Sequence, residues 1–222
     1  MLVGVDGKTL RGSKGSGKKA KHIVTAFASE LHIVLGEIAT DEKSNEITAI
    51  PKLLELFCQK GMIITIDAMG TQTDIADKII RMKADYVLSV KKNQPTLFSD
   101  VSVAMESLEY NAAGENKAKL KAAGLYERTA EKGHGRYEVR ECYLSFDLSL
   151  LSTDDEWKGI TGFGMIVSKR ENLSRADSIP IIHREYFVFS LKGTNATEML
   201  HIKRSHWAIE NNLHWSLDVI LT

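Results

Sequence analysis

The stretch GMIITIDAMGTQ, residues 61–72, decides the fold that this sequence predicts. An apolar, β-branched run from Met62 to Ile66 ends at Asp67, and small residues follow it. This pattern is typical of a buried strand with a carboxylate at its carboxyl end, the edge at which α/β sheets bind their ligands. We therefore expect Asp67 to lie in a functional site at the tip of a central strand.

The beginning of the chain repeats this arrangement. The short apolar run from Leu2 to Val5 ends at Asp6, so two predicted strands each end in an aspartate. A third acid, Glu210, lies on a predicted helix over residues 195–218. Carboxylate oxygens are the ligands that Mg²⁺ prefers. The three acids therefore predict a divalent-metal site, although an ordinary amphipathic helix with a solvated Glu210 is the alternative for the last of them.

Such a site suits phosphodiester cleavage. Two Mg²⁺ ions about 3.5–4 Å apart neutralise charge on the attacking and the leaving oxygen. Asp67 is expected to bridge both ions, while Asp6 and Glu210 each complete the ligands of one. Mg²⁺ is the expected cofactor, with Mn²⁺ as its substitute.

Composition limits the remaining possibilities. The chain has 222 residues, 43% of them hydrophobic, which is enough to bury one large core or two small ones. Its 29 basic and 29 acidic residues cancel, which argues against a polyanion-binding surface over the whole molecule and leaves a local basic groove open. Cys58 and Cys142 form no metal-binding spacing and fit a reducing cytosol. We expect a cytoplasmic protein without a membrane segment, because no apolar run reaches about 18 residues.

Two other site motifs are possible. Residues 12–19 nearly match a phosphate-binding P-loop, but Lys19 stands where a hydroxyl is needed and a strand follows, so a flexible basic turn is the alternative. Its lysines could also contact a nucleic-acid backbone. His206 and His214 could bind zinc, although their spacing of eight is not that of HExxH. His134 in GHGR, residues 133–136, is interpreted as a turn residue that could contact DNA beside Arg136.

The predicted order of elements is β-β-β-α-β-α-β-α. Three meandering strands followed by alternating helices and strands is the order of a ribonuclease-H-like fold, an α/β class with a mixed sheet flanked by helices. Pro51 suggests that the first helix begins near it. The predicted strands lie at 2–6, 22–29, 32–40, 62–66 and 85–90, and the predicted helices at 43–61, 73–83 and 95–108.

The rest of the chain is predicted to hold a β-rich insertion before the last helix. Residues 111–124 are rich in alanine and lysine and are interpreted as a linker or loose helix. The predicted domains are a first part of the core at 1–110, the linker and insertion at 111–192, and a C-terminal catalytic helix at 193–222. The predicted strands of the insertion are 126–130, 136–146, 161–168 and 185–191.

Several motifs together resemble a known family. They are VDGKTLRGS, KSNEITAIPKLL, TIDAMGTQ, SVKKNQ, the GHGR turn with Glu138 and Arg140, and RSHWAIENNLHWSLDV. The set resembles the bacterial insertion-sequence DDE transposases, and most closely their H-repeat-associated subgroup. The likeness runs from Val3 to Val219.

The resemblance implies a ribonuclease-H-like catalytic core whose acidic triad is Asp6, Asp67 and Glu210. It also implies metal-dependent cleavage at transposon ends, then attack of the freed 3′-hydroxyl on target DNA. The implied partners are double-stranded DNA, both ends and target, and a second copy of the chain when on DNA, in the bacterial cytoplasm. The candidate DNA-contacting residues are Lys8, Arg11, Lys91, Lys92, Asn93, Arg204 and His206.

The sequence departs from this family in some places. His201 stands where related families have a tyrosine, and Leu217 where they have a lysine. Members of the subgroup also extend beyond both ends of this chain, so we expect a core truncated at both ends. An inactive remnant that only binds DNA or self-associates is the main alternative, and a cellular nuclease of the same fold is another.

Overall fold

A computed structural model describes residues 1–10, 21–40, 46–112, 114–133, 135–173 and 179–209. The chain divides into two compact units. The first comprises residues 1–89, 155–160 and the chain from Ile202, and the second comprises residues 90–154 and 161–201. The division predicted from composition, with boundaries after residues 110 and 192, stays a prediction.

The first unit contains a mixed sheet. Its strands lie in the order β3-β2-β1-β4-β5. β1 pairs antiparallel with β2, and β2 with β3, whereas β1, β4 and β5 run parallel. The predicted mixed sheet and its order of elements are confirmed. The strands are β1 Leu2–Thr9, β2 His22–Ala28, β3 Ile33–Thr40, β4 Ile63–Ile66 and β5 Asp85–Val90.

Two helices connect the parallel strands. The first, α1, covers Glu46–Phe57 and packs on β2 and β3. It begins about a turn earlier than Pro51 suggested. Proline cannot donate a backbone hydrogen bond, but burial of the apolar face with Leu53 and Leu54 offsets the free energy lost with that bond. The second, α2, covers Thr73–Arg81. It ends two residues before the predicted limit, since Lys83 has a φ of 60° and cannot continue a right-handed helix.

The second unit contains the β-rich segment. Four antiparallel strands lie in the order β9-β8-β7-β6, which confirms the predicted β-rich segment before the last helix. Gly133 pairs with Arg136, so β6 and β7 form the hairpin predicted at GHGR; His134 lies outside the described residues. The strands are β6 Tyr126–Gly133, β7 Arg136–Ser145, β8 Gly162–Asn172 and β9 Ile181–Phe189.

Helices α3, Pro95–Asn111, and α4, Glu115–Ala122, accompany this sheet, and α3 contacts β7, β8 and β9. The helix α4 occupies the segment predicted as a linker or loose helix. It forms because alanine and lysine favour helix, although none of its side chains is buried. The last described helix, α5, covers Ala196–Ala208. The predicted continuation to residue 218 lies outside the described residues.

A buried carboxylate joins three elements of the second unit. Glu141 on β7 accepts hydrogen bonds from Lys117 Nζ (2.5 Å), Tyr126 Oη (2.6 Å) and Lys169 Nζ (3.0 Å). Burial by itself raises the pKa of Glu141, but these three donors outweigh burial and lower the pKa to about 2. Burial and the Glu141 carboxylate raise the pKa of Tyr126 to about 12. The cluster fixes α4 to the sheet.

Each unit has its own apolar core. Among the described residues, no helix is long and apolar enough to cross a membrane. Cys58 and Cys142 are both buried and free, and burial raises the pKa of the Cys58 thiol. The largest fully buried side chains are Leu53, Leu54, Ile64, Ile75, Ile79, Tyr86 and Leu88 in the first unit and Met105, Tyr143, Phe163, Phe187 and Phe189 in the second.

Candidate active site

Asp6 and Asp67 lie at the point where the pairing between β1 and β4 ends in the first unit. Asp67 follows β4, whereas Asp6 lies inside β1, which continues to Thr9 because it stays paired with β2 beyond the predicted strand end at Asp6. Val5 of β1 is paired with Ile66 of β4 in parallel register, so Asp6 and Asp67 are the next residues on adjacent strands. Both aspartates line one cavity of about 40 Å³, which has room for about three water-sized groups. The structure thus brings together two of the acids that the sequence singled out.

Backbone groups define the surroundings of each aspartate. Asp6 Oδ1 accepts a hydrogen bond of 2.8 Å from the backbone N–H of Gly7. Asp67 is extended, with φ −72° and ψ 169°, and its carbonyl accepts a bond of 3.0 Å from the N–H of Gly70 in the short 3₁₀ turn that follows. Thr71 Oγ1 donates to the Ser89 carbonyl at 2.6 Å, which ties this turn to β5. The loop after β4 is therefore held at both ends.

The end of α5 lies over β1 and β4. His206, 5% exposed, shares a hydrogen bond of 2.7 Å between its Nδ1 and Thr65 Oγ1. A side chain built at Gly4 would lie 3.5 Å from His206 Nδ1 and 3.8 Å from Ile209 Cγ2. Gly4 is opposite Thr65 and two residues before Asp6, so α5 covers the strand face to which Asp6 belongs. Glu210 follows Ile209 in the sequence and lies outside the described residues.

Two further contacts fix α5 in the first unit. Lys203, 3% exposed, donates from Nζ to Ser89 Oγ at 2.8 Å. Ser29 Oγ donates to the Ser205 carbonyl at 2.8 Å. The sequence did not reveal these anchors, because a lysine or serine inside a helix has no pattern that marks it as buried. They show that α5 is attached to β5 and to the end of β2.

The bond between Thr65 and His206 makes a testable contribution to stability. Thr65→Val removes the hydroxyl and leaves a buried ring nitrogen without this partner, which costs about 1–3 kcal/mol. We expect the free energy of unfolding to fall by about that amount in a urea titration. Thr65→Ser keeps the hydroxyl and should recover most of the loss. A Thr65→Val variant that unfolds like the wild type would show that the hydrogen bond contributes nothing to stability.

The predicted DNA-contacting residues occupy several elements. Lys8 is half-buried on β1, whereas Lys91, Lys92 and Asn93 are exposed directly after β5, and Arg204 is exposed on α5. His206 is buried and hydrogen-bonded to Thr65, an arrangement that does not favour contact with DNA. Its predicted DNA contact stays a prediction. Arg11, the near P-loop at residues 12–19 and His214 lie outside the described residues.

The acids fit a divalent cation by their chemistry. Asp6 and Asp67 supply hard oxygen ligands to one cavity, as Mg²⁺ and Mn²⁺ require. Among residues 1–10, 21–40, 46–112, 114–133, 135–173 and 179–209, no group of three or more His, Cys, Asp or Glu side chains could hold a metal ion. A site of three carboxylates therefore depends on a residue outside these ranges, and the sequence nominates Glu210.

Comparison with known proteins agrees with this arrangement. A model of the transposase DDE domain matches residues 2–221. The chain is 41% identical to "Putative transposase YncI" of Escherichia coli O157:H7, over 98% of the chain and 54% of the relative. It is 39% identical to "H repeat-associated putative transposase YhhI" of E. coli K12, over 99% of the chain and 56% of the relative. The chain thus spans about half the length of these relatives.

One solved structure gives a weak structural alignment with this chain. The piggyBac transposase, in a synaptic complex with hairpin DNA, aligns with a TM-score of 0.46 at 10% identity, over 95% of this chain and 39% of that one. The family assignment depends on the sequence matches, which cover nearly the whole chain. They confirm the resemblance to the H-repeat-associated transposases. The chain belongs to the transposase DDE domain family.

Proposed function

We propose that this chain is the catalytic core of a transposase that cleaves DNA phosphodiester bonds and transfers the freed 3′ end to target DNA. The observation that carries the proposal is the placement of Asp6 and Asp67 directly after the last paired residues of β1 and β4, lining one cavity. The family match over residues 2–221 supports the same reaction.

The metal in this proposal is Mg²⁺, with Mn²⁺ as a substitute. Asp6, Asp67 and Glu210 would hold it, and it would neutralise charge on the attacking and leaving oxygens. The protein's own contribution is to hold the carboxylates in place. β1 and β4 are paired in register up to Val5 and Ile66, and α5 is fixed to β4 by the bond from His206 to Thr65. His206 thus acts as a positioning residue for the segment that leads to Glu210.

Double-stranded DNA, both transposon ends and target, is the proposed substrate, bound by a homodimer in the bacterial cytoplasm. The exposed Lys91 and Lys92, directly after β5, would contact phosphates. Lys8, Arg11, Asn93 and Arg204 are the other proposed contacts. The formal net charge of zero means that these cations must act locally, because the whole protein has no excess of positive charge.

The test of catalysis is nicking of a supercoiled plasmid by the wild-type chain. We expect nicking with Mn²⁺ and none when the ion is chelated. A folded protein that binds Mn²⁺ and DNA without nicking would support the alternative, a remnant that acts as a DNA-binding or self-associating module. Equal cleavage of plasmids with and without the transposon-end sequence would favour a general nuclease instead.

The DNA-binding part of the proposal has its own test. Each phosphate contact contributes about 0.9 to the slope of log K against log salt concentration. Lys91→Gln with Lys92→Gln should weaken binding to a duplex and reduce that slope by up to about 2, measured by fluorescence anisotropy. Lys52→Gln with Lys60→Gln removes the same charge from exposed positions on and after α1 and serves as the control. If the two double variants have the same slope of log K against log salt concentration, Lys91 and Lys92 do not contact the DNA phosphates more than other surface lysines do.

A further inference from the structure

A buried histidine–glutamate pair lies beside the two aspartates. His22 on β2 is 2% exposed, Glu46 at the start of α1 is 6% exposed, and His22 Nε2 lies 2.7 Å from Glu46 Oε1. The other ring nitrogen, Nδ1, lies 3.0 Å from Thr9 Oγ1 on β1. The pair therefore connects β1, β2 and the first residue of α1. Glu46 also lines the same cavity as Asp6 and Asp67.

Gly7 lies directly between this pair and Asp6. Its N–H donates to Asp6 Oδ1 at 2.8 Å. A Cβ added at Gly7 would lie 2.3 Å from Glu46 Oε1 and 2.7 Å from His22 Nε2, distances that atoms do not tolerate. Residues 6 and 7 point to opposite faces of a strand. The pair therefore packs on the face of β1 opposite to the Asp6 side chain. Only a residue without a side chain fits there unless the pair moves.

Stability alone is a weak reason for such a pair. Burying a carboxylate costs several kcal/mol, and apolar side chains of similar volume often serve a core equally well. An acid at the first turn of α1 gains from the helix dipole, but an exposed acid would gain similarly. The unusual feature is the location, in contact with the residue whose N–H binds Asp6.

We propose that the His22–Glu46 pair positions Asp6 for cation binding. The pair packs against Gly7 and so fixes the peptide whose N–H donates to Asp6. This inference rests on the proposed function, since it assumes that Asp6 is a metal ligand. Glu46 holds His22, His22 is joined to Thr9, and together they define where β1 runs past Gly7. The Gly7 N–H in turn holds one oxygen of Asp6. Outer groups that orient a ligand typically change metal affinity by about 10–100-fold when they are lost.

The test measures Mn²⁺ binding directly, by electron paramagnetic resonance of the free ion, without any DNA. Gly7→Ala and Glu46→Gln should each raise the Kd for Mn²⁺ about tenfold. Because both act through one contact, the double variant should also lose about tenfold and not the hundredfold expected of independent sites. Glu46→Gln keeps the size of the side chain, so it provides a folded variant if Gly7→Ala does not fold.

Glu141→Gln is the matched control. It changes a buried glutamate of the second unit in the same way and should leave the Kd for Mn²⁺ within about twofold of wild type. Wild-type binding with unchanged affinity in Gly7→Ala and Glu46→Gln would overturn this inference and leave the metal site standing. Additive losses in the double variant would also overturn it. A wild-type chain that binds no Mn²⁺ would overturn both the metal site and the inference.

Discussion

Replacing Asp67 by asparagine is expected to lower the rate of Mn²⁺-dependent plasmid nicking at least about a hundredfold, or about 2.7 kcal/mol. Asparagine keeps the shape of the side chain but removes the negative charge that a divalent cation requires. The lost charge lies at the end of β4, beside Asp6 on the neighbouring strand. Single-turnover nicking at saturating Mn²⁺ measures the change in rate separately from any change in metal affinity.

Asp85→Asn is the matched control for this experiment. Asp85 begins β5, the parallel neighbour of β4, so it lies at the amino end of the strand, opposite to the end at which Asp67 follows β4. The same chemical change there should leave the nicking rate within about twofold of wild type. Similar losses in both variants would mean that aspartate replacement disturbs this sheet in general, and the assignment of Asp67 would fail.

Replacing Glu141 by alanine is expected to lower the free energy of unfolding by about 3 kcal/mol at pH 7. The variant leaves Lys117, which is 33% exposed, without its carboxylate and close to the rings of Tyr126 and Tyr143. Removal of Glu141 leaves a partly buried cation and the buried Tyr126 hydroxyl without their acceptor, which is more costly than replacing the whole pair. Urea unfolding followed by circular dichroism measures the loss.

The pH dependence of unfolding gives a second, independent measure of this cluster. The pKa of Glu141 is lowered from 4.5 to about 2 in the folded protein, so the unfolded chain binds a proton at Glu141 more readily. The stabilisation is therefore complete above about pH 4.5 and is lost as the pH falls towards 2. The wild type and Glu141→Ala should differ by about 3 kcal/mol at pH 7 and converge near pH 2.

Glu55→Ala provides the comparison with an exposed ion pair. Glu55 forms its pair with Lys78 on the surface and is 65% exposed. Solvent screens exposed pairs of this kind, so this variant should unfold almost like the wild type at both pH values. Equal losses of unfolding free energy in Glu55→Ala and Glu141→Ala would show that the buried cluster around Glu141 is no more stabilising than an exposed ion pair.

Strongly patterned elements of this fold can be predicted from the sequence. The strand at Asp85–Val90 has the predicted limits, because a short, mostly apolar stretch between a helix and two lysines is typical of a buried strand. Asp67 follows β4 as predicted, whereas the predicted strand end at Asp6 is wrong, because β1 stays paired with β2 as far as Thr9. Local pattern suffices where a strand is buried on both faces and ends abruptly.

Other features depend on contacts between distant residues, and the sequence did not reveal them. The segment with helix α4 was interpreted as a linker or loose helix, and none of the side chains of α4 is buried. The helix is anchored by Lys117, which donates a hydrogen bond to the Glu141 carboxylate on β7. The His22–Glu46 pair was missed because its members are 24 residues apart in the chain and each looks ordinary in its own segment. Polar partners of this kind follow no periodicity, so only the assembled sheet identifies them.

The parallel pairing of β1 with β4 also determines at which stage of folding Asp6 and Asp67 come together. Asp6 and Asp67 are 61 positions apart in the chain, and Thr65 and His206 are 141 positions apart. Contacts this distant in sequence raise the contact order, and closing such loops slows folding. A ribosome must therefore release most of the chain before α5 can dock. An unfinished copy would therefore hold Asp6 and Asp67 without the helix that covers β1 and β4.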